Sequence, residues 1–145
     1  MKVFADPQLM QAQSKKWRLA KRSIGFVPTM GALHEGHLEL VRACRKQNSV
    51  TVASVYVNPL QFGPKEDFGQ YPRTLEKDLE LLKAEKVHAV FTPSDKEMYP
   101  AGFSTSVEVK GQLVAGLCAP FRPGHFNGVA TVVVKLLGAV TPDRL

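Results

Sequence analysis

The stretch VPTMGALHEGH, residues 27–37, decides how this chain folds. Residues 23–27 before it form a short apolar run, and from His37 to about Gln47 the apolar residues recur at helical spacing. The stretch therefore predicts a strand, a Pro/Gly loop and the start of a helix. This is the arrangement by which α/β proteins hold nucleotide phosphates near a helix N-terminus.

Two histidines and two glycines give this stretch its chemical interest. His34 and His37 stand at positions i and i+3, so both rings can point to one side of the first helical turn. Gly31 and Gly36 remove side chains where the backbone would approach a ligand closely. A strand, a glycine-containing loop and a helix also occur in most α/β domains, so the HxGH pattern alone is weak evidence for a nucleotide site.

The composition is that of an ordinary globular domain. The chain has 145 residues, 44% of them hydrophobic and 22% charged, and we expect one domain over residues 1–145. No apolar run is long enough to cross a bilayer, and the N-terminus lacks the apolar core of a signal peptide. Cys44 and Cys118 lie far apart without metal-type spacing. We therefore expect free thiols, no metal ligands among the side chains, no membrane partner and a cytoplasmic protein.

The net charge of +6 suits an anionic ligand such as ATP, and it would also suit a nucleic acid. The basic residues are scattered, apart from a cluster in residues 15–22. We interpret that cluster as a solvated helix face. A nucleic-acid binding module is thus the weaker alternative, and we expect no nucleic-acid partner.

Strands and helices are predicted to alternate along the rest of the chain. The predicted strands are residues 49–57 and 89–91, with a possible edge strand at 105–109. The predicted helices are residues 7–20, 74–85 and 127–137, with a helical turn at 112–118 and loops at 58–72 and 97–100. Alternation of this kind indicates an α/β fold: a Rossmann-like parallel sheet with helices on both faces. Loops as long as residues 58–72 are usually functional in compact domains.

Several stretches together resemble one known family. They are VPTMGALHEGHLELV at 27–41, VYVNPLQFGPKEDF at 55–68, YPRT at 71–74, EMYP at 97–100 and RPGHFNGVATVVVKLL at 122–137. In this order they are similar to the N-terminal, nucleotide-binding domain of the pantoate–β-alanine ligase family, also called pantothenate synthetases. The resemblance places the chain in the HIGH-motif nucleotidyltransferase superfamily.

The resemblance implies an activity. Members of the family activate the carboxylate of (R)-pantoate with ATP and Mg²⁺, releasing pyrophosphate and forming a pantoyl adenylate. The amine of β-alanine then attacks the adenylate, giving pantothenate and AMP. The family is cytoplasmic and typically dimeric, so we expect a homodimer.

The resemblance also assigns residues. It makes His37 the proton donor, with His34 as a second catalytic residue, and it makes Gln61 a contact to pantoate. The wall near the reacting groups is assigned to Pro28 and Thr29, and further substrate contacts to Asn58 and His125. The implied ATP-binding residues are Met30, Gly31, Ala32, Leu33, His34, Glu35, Gly36 and His37. The residues themselves leave alternatives open, since Gln61 can satisfy local backbone and Arg122 can simply hold its loop.

The chain departs from the family in one respect. Family members continue beyond the point that corresponds to Pro142-Asp143, with further ATP and pantoate contacts and a small second domain. We therefore expect residues 1–145 to be a truncated form that folds but makes no pantothenate at a useful rate. Two alternatives remain at this point: a nucleotidyltransferase that adenylates another small acceptor, and a non-catalytic fragment.

Overall fold

Strands and helices alternate along the described part of the chain, which in this computed structural model comprises residues 1–63, 66, 68–111, 114 and 119–145. The strands are β1 (Lys2–Phe4), β2 (Ile24–Thr29), β3 (Val50–Val55) and β4 (Ala89–Phe91). The helices are α1 (Pro7–Leu19), α2 (Glu35–Gln47), α3 (Leu75–Ala84), α4 (Asp95–Met98) and α5 (His125–Val140). The strands form one parallel sheet in the order β1-β4-β3-β2, which confirms the predicted α/β class.

Helices cover both faces of the sheet, as predicted. On one face Phe26, Val52 and Phe91 pack with residues of α1 and α5, including Met10 and Leu136. On the other face Val27, Ala53 and Val90 pack with residues of α2 and α3. The strands β2, β3 and β4 alternate between these two clusters because successive side chains point to opposite faces of a sheet. None of the helices in the described residues is long and apolar enough to span a membrane.

The predicted strand at residues 23–27 extends further than expected. Strand β2 runs to Thr29 and pairs with β3 throughout, so Pro28 lies inside a strand and not in a loop. Phe26 N–H points outward and donates to Arg144 O at 2.9 Å. Because strand residues alternate, the nitrogen of Pro28 faces the same outer edge, where the ladder requires no donor.

Two helix starts were also misplaced. Helix α2 begins at Glu35 and not at His37, because His34 caps it. Helix α5 begins at His125, two residues before the predicted start, after Gly124 in the left-handed conformation. The strand predicted at 49–57 is shorter in the structure, since β3 begins at Val50 and ends at Val55.

The edge strand predicted at residues 105–109 is wrong. The N–H of Val107 donates to Thr131 Oγ1 at 2.9 Å, and the N–H of Val109 donates to Asn127 Oδ1 at 3.1 Å. Side chains of α5 therefore accept hydrogen bonds from backbone N–H groups that would pair with a neighbouring strand in a sheet. The predicted helical turn at 112–118 lies almost wholly outside the described residues.

Two short elements were missed. Strand β1 pairs with β4 at the sheet edge and has three residues, too few for a pattern to appear in the sequence. Helix α4 occupies part of the segment 97–100 that was predicted as a loop. It is stabilised by a capping box in which Glu97 Oε2 accepts from Ser94 N–H at 2.6 Å.

Helix α5 contacts the turn at Pro59–Gln61 through a glycine. A methyl group placed on Gly128 would lie 2.1 Å from the carbonyl oxygen of Leu60, closer than any real contact. The backbone of the turn can therefore lie directly against the helix only because residue 128 has no side chain. On the same helix, a methyl group on Gly138 would meet nothing within 4 Å.

These two glycines provide a matched test of the packing. We expect Gly128→Ala to destabilise the fold by about 1–3 kcal/mol, since the turn must move away from the helix. Gly138→Ala should be neutral or stabilising by about 0.5–1 kcal/mol, because alanine favours the helix. Urea unfolding of both variants measures the difference, and equal stabilities would contradict the packing described here.

Candidate active site

The loop that leaves β2 has an unusual backbone. Gly31 and Ala32 both have positive φ, at 82° and 50°. Thr29, the last residue of β2, holds the start of this bend: its Oγ1 accepts from Gly31 N–H at 3.1 Å and donates to Ser54 O at 2.7 Å. The left-handed turn carries the chain from the end of β2, at the edge of the four-stranded sheet, directly to the N-terminus of α2.

The carboxylate of Asp78, on α3, holds the same loop from behind. Its Oδ2 accepts from Ala32 N–H at 3.0 Å and its Oδ1 from Leu33 N–H at 2.8 Å. Thr74 Oγ1 donates to Oδ2 at 3.2 Å. A methyl group placed on Gly31 would lie 2.9 Å from Asp78 Oδ2, so the carboxylate and the glycine fit each other. Asp78 is buried, with both carboxylate oxygens bound to this loop.

This anchored loop brings the two histidines together. The ring centroids of His34 and His37 are 4.1 Å apart, as the i, i+3 spacing predicted. His34 Nδ1 accepts from Gly36 N–H at 3.1 Å, so the proton of the neutral ring lies on Nε2. His34 can therefore donate a hydrogen bond from the ring edge that faces away from the helix.

His37 lies in a less polar environment. Its Nδ1 is buried and has no hydrogen-bond partner among the described residues. Burial lowers the pKa of His37 below its ordinary value and the neighbouring His34 lowers it further, while Asp78 acts in the opposite direction. The ring is accordingly neutral near pH 7, with one nitrogen able to donate and the other able to accept.

Two other members of the 30–37 stretch, Leu33 and Glu35, contact other parts of the protein. Leu33 is buried in the core, and the carboxylate of Glu35 forms an ion pair with Arg42, which also binds Glu39 and Glu85. At the N-terminus of α2, the N–H of Gly36 is already bound to the His34 ring.

A cavity of about 300 Å³ lies beside His37, at the carboxyl ends of β2 and β3. Five of the predicted site residues besides His37 line it: Pro28, Thr29, Met30, Asn58 and Gln61. Its opposite wall is apolar and comes from α5, with Val129, Val132, Val133 and Leu136. The structure thus brings the histidine loop and the loop after β3 to one cavity.

Asn58 and Gln61 have different roles at this cavity. Asn58 is buried, and its Oδ1 accepts from Tyr99 Oη at 2.7 Å and from Leu60 N–H. Its Nδ2 donates to Gly128 O at 3.1 Å and to Gln61 Oε1 at 3.2 Å. With its hydrogen-bonding capacity used inside the protein, Asn58 positions the loop. Gln61 has only the weakly accepting sulfur of Met30 as a partner for Nε2, at 3.0 Å, among the described residues.

His125 is not among the residues that line this cavity in the described part of the chain. Its Nδ1 lies 2.7 Å from the backbone oxygen of Gln61, and its Nε2 lies 3.2 Å from Nη1 of Arg122. Its predicted contact to substrate stays a prediction, and the observed contact is to the back of the Gln61 loop.

Sequence reasoning missed Tyr56 as well as Asp78. Tyr56 follows β3 and lines both the cavity beside His37 and a second one of about 320 Å³, in front of the N-terminus of α3. Its hydroxyl donates to Asp95 Oδ1 at 2.9 Å, and burial raises its pKa. The β-rich run VTVASVYV gave only a strand signal, and the partner Asp95 lies too far along the chain for a local pattern.

Comparison with known proteins points to one family. The family model described as "Pantoate-beta-alanine ligase" matches residues 2–145. A pantothenate synthetase of Sulfurihydrogenibium sp. is 54% identical over 145 residues, which are 100% of this chain and 51% of that protein. The chain therefore spans about half the length of the curated relatives it matches.

Solved structures agree as well. The crystal structure of pantothenate synthetase from Thermus thermophilus matches with a TM-score of 0.92 and 49% identity, covering 99% of this chain and 50% of that one. A pantoate–β-alanine ligase from Francisella tularensis, complexed with "Beta-gamma ATP and Beta-alanine", has a TM-score of 0.92 and 37% identity, covering 99% and 54%.

The role of Asp78 can be tested by removing one of its acceptor oxygens. Asp78→Asn keeps the shape but leaves a buried N–H of the loop without an acceptor, so we expect a loss of about 1–3 kcal/mol in the free energy of unfolding. Glu80→Gln, an exposed change on the same helix, should stay within about 0.5 kcal/mol of the parent. Chemical denaturation compares them, and an unchanged Asp78→Asn variant would contradict the anchor.

The histidines predict how stability depends on pH. The pKa values of His37 and His88 are both lowered, chiefly by burial. Below the unfolded-state pKa of about 6.5 the unfolded chain binds more protons than the folded one, so stability falls as pH decreases from 6.5. Melting temperatures from pH 8 to 5 should show this decline, with a shallower slope in His37→Gln and in His88→Gln. The same dependence of melting temperature on pH in the parent and in both variants would show that these histidines are not its cause.

Proposed function

The chain belongs to the pantoate–β-alanine ligase family, and we propose that the protein containing it joins (R)-pantoate to β-alanine with ATP, through a pantoyl adenylate. The observation that carries this proposal is the shared cavity. His37, from the loop after β2, and Gln61, from the loop after β3, line the same space of about 300 Å³. Ligands of α/β proteins bind at this end of a parallel sheet.

The shape and chemistry of the cavity suit pantoate. Pantoate carries two methyl groups on a quaternary carbon, and the α5 wall of valines and a leucine offers an apolar surface to them. Its hydroxyls and carboxylate need hydrogen-bonding groups, and the Gln61 amide supplies both donors and an acceptor. Met30 and Pro28 also line the cavity and add to its apolar surface.

The two histidines suit the phosphates of ATP. When the pantoate carboxylate attacks the α-phosphorus, negative charge increases on the phosphate oxygens. His34 directs Nε2–H away from the helix, and neutral His37 holds a second ring N–H at the cavity. Fixed donors aimed at developing charge are an effective means of stabilising such a transition state.

The described residues do not fit a Mg²⁺ site made by protein alone. They contain no group of three His, Cys, Asp or Glu side chains placed to hold a metal ion. Asp78, whose carboxylate binds the loop, already accepts hydrogen bonds on both oxygens. Any Mg²⁺ in the reaction would therefore be held mainly by the ATP phosphates and water, as is usual for this ion.

Two further proposals come from the family and not from the described contacts. We propose that the protein is cytoplasmic and that it acts as a homodimer. Because this chain spans about half of its relatives, each of these concerns the protein at full length.

The experiment that tests the function is an assay of the full-length protein. Pyrophosphate should be released from ATP only when pantoate is present, and pantothenate should form only when β-alanine is added. Phosphopantetheine in place of pantoate tests for a nucleotidyltransferase that adenylates another acceptor. Pyrophosphate release with phosphopantetheine but not with pantoate would overturn the proposal.

His37 is the residue whose loss should affect the chemical step most directly. We expect His37→Ala to lower the single-turnover rate of pantoyl adenylate formation by roughly 10²–10³, the cost measured for one fixed donor elsewhere. His88→Gln, which keeps an acceptor for Thr51 N–H, should leave that rate unchanged. Adenylate formation at the parent rate in His37→Ala would remove this residue from the mechanism.

A further inference from the structure

The Gln61 loop is tied to the start of α5 by a group of charged side chains that does not line the cavity. Arg122 donates from Nε to Glu66 Oε1 at 2.5 Å and from Nη2 to Glu66 Oε2 at 2.7 Å. This two-point contact between a guanidinium and a carboxylate is the geometry that only arginine can make. Both side chains are partly exposed, by 30% for Arg122 and 26% for Glu66.

The same arginine also binds the backbone of Gln61, whose side chain lines the cavity. Nη2 of Arg122 donates to the backbone oxygen of Gln61 at 3.2 Å, and His125 Nδ1 contacts that oxygen at 2.7 Å. Since a carbonyl oxygen can only accept, His125 Nδ1 carries the proton and Nε2 accepts from Arg122 at 3.2 Å. Two donors thus fix the carbonyl of Gln61 while its side chain faces the cavity.

Glu66 binds the backbone two residues after Gln61. Its Oε2 also accepts from Gly63 N–H at 3.1 Å. The Arg122 side chain, followed by the Gly63 N–H, lowers the pKa of Glu66 to about 2, so the carboxylate stays charged throughout the physiological range. The backbone at Gln61 and at Gly63 is therefore fixed, directly or through Glu66, to one guanidinium.

We propose that Arg122 and Glu66 form a clamp that positions Gln61 for pantoate, acting as positioning residues and not as contacts to the substrate. This inference rests on the proposed function, because it assigns pantoate to the cavity. It differs from the simpler idea that Arg122 attracts an anionic substrate by its charge. In the clamp, the guanidinium charge is already paired with Glu66, and the fork geometry is what matters.

Two substitutions distinguish the clamp from charge attraction, because the two models predict different effects of each substitution on the use of pantoate. Arg122→Lys keeps the positive charge but loses the fork, so the clamp fails while the attraction survives. Glu66→Gln removes a negative charge near the cavity, so attraction of an anion would strengthen while the clamp weakens. For both variants we expect kcat/KM for pantoate to fall roughly ten- to a hundredfold, the loss that a small misplacement causes.

The measurement is initial-rate kinetics on the full-length protein, with pantoate and ATP varied separately. The KM for ATP should change less than about twofold, because the histidine loop is anchored elsewhere, by Asp78. Arg18→Lys is the matched control: Arg18 also donates to a backbone oxygen, that of Thr141, and forms an ion pair with Asp143, away from the cavity. It should lower the melting temperature at most and leave both KM values unchanged.

A double-mutant cycle completes the test. The combined variant Glu66→Gln/Arg122→Lys should lose no more in pantoate kcat/KM than the worse single variant, because both changes break one contact. Parent-like pantoate kinetics in Arg122→Lys, improved pantoate kinetics in Glu66→Gln, or equal losses for pantoate and ATP would overturn the clamp. A parent protein that never uses pantoate would overturn the proposed function itself, and the clamp with it.

Discussion

The hydrogen bonds from the loop after β2 to the carboxylate of Asp78 are the constraint on which the site depends. A left-handed backbone at Gly31 and Ala32 is not self-supporting, because alanine disfavours that conformation. The carboxylate compensates by taking two consecutive N–H groups that a sharp turn leaves without strand or helix partners. An acceptor from another element, 45 residues further along the chain, thereby fixes the direction in which α2 starts.

The loop after β3 is also held by groups from other elements, although these groups differ from those that hold the loop after β2. The loop after β3 carries Gln61 to the cavity, and its supports come from Asn58, from α5 and from the pair of Glu66 and Arg122. Gly128 adds a steric condition, since its missing side chain lets the turn lie against α5. Neither loop depends on its own local propensity. The conformation of each loop is instead fixed by a helix packed against it. In this way a parallel sheet can present precisely positioned residues on irregular backbone.

The sequence predicted what depends on local pattern. Apolar runs located β2, β3 and β4, helical spacing located α1, α2, α3 and α5, and the spacing of His34 and His37 correctly placed their rings side by side. What it could not predict depends on distant partners. Asp78 resembles a solvated helix residue until the loop that it binds is in place, and residues 105–109 resemble a strand until α5 supplies their acceptors. Pro28 resembles a loop residue until the outer edge of β2 is known.

Hydrogen-bond partners distinguish the residues that position the loops of the site from His37, whose ring keeps a nitrogen without a partner in the described part of the chain. Thr29, Asn58 and Asp78 are buried, and each has partners inside the protein. A buried polar atom without a partner is costly, so this satisfaction gives the loops their rigidity. Among the described side chains at the cavity, His37 is the exception, since its buried Nδ1 has no partner and its neutral form is favoured. Held in place by residues that are already satisfied, His37 lines the cavity as a ring whose buried Nδ1 is left without a partner among the residues that the structure describes.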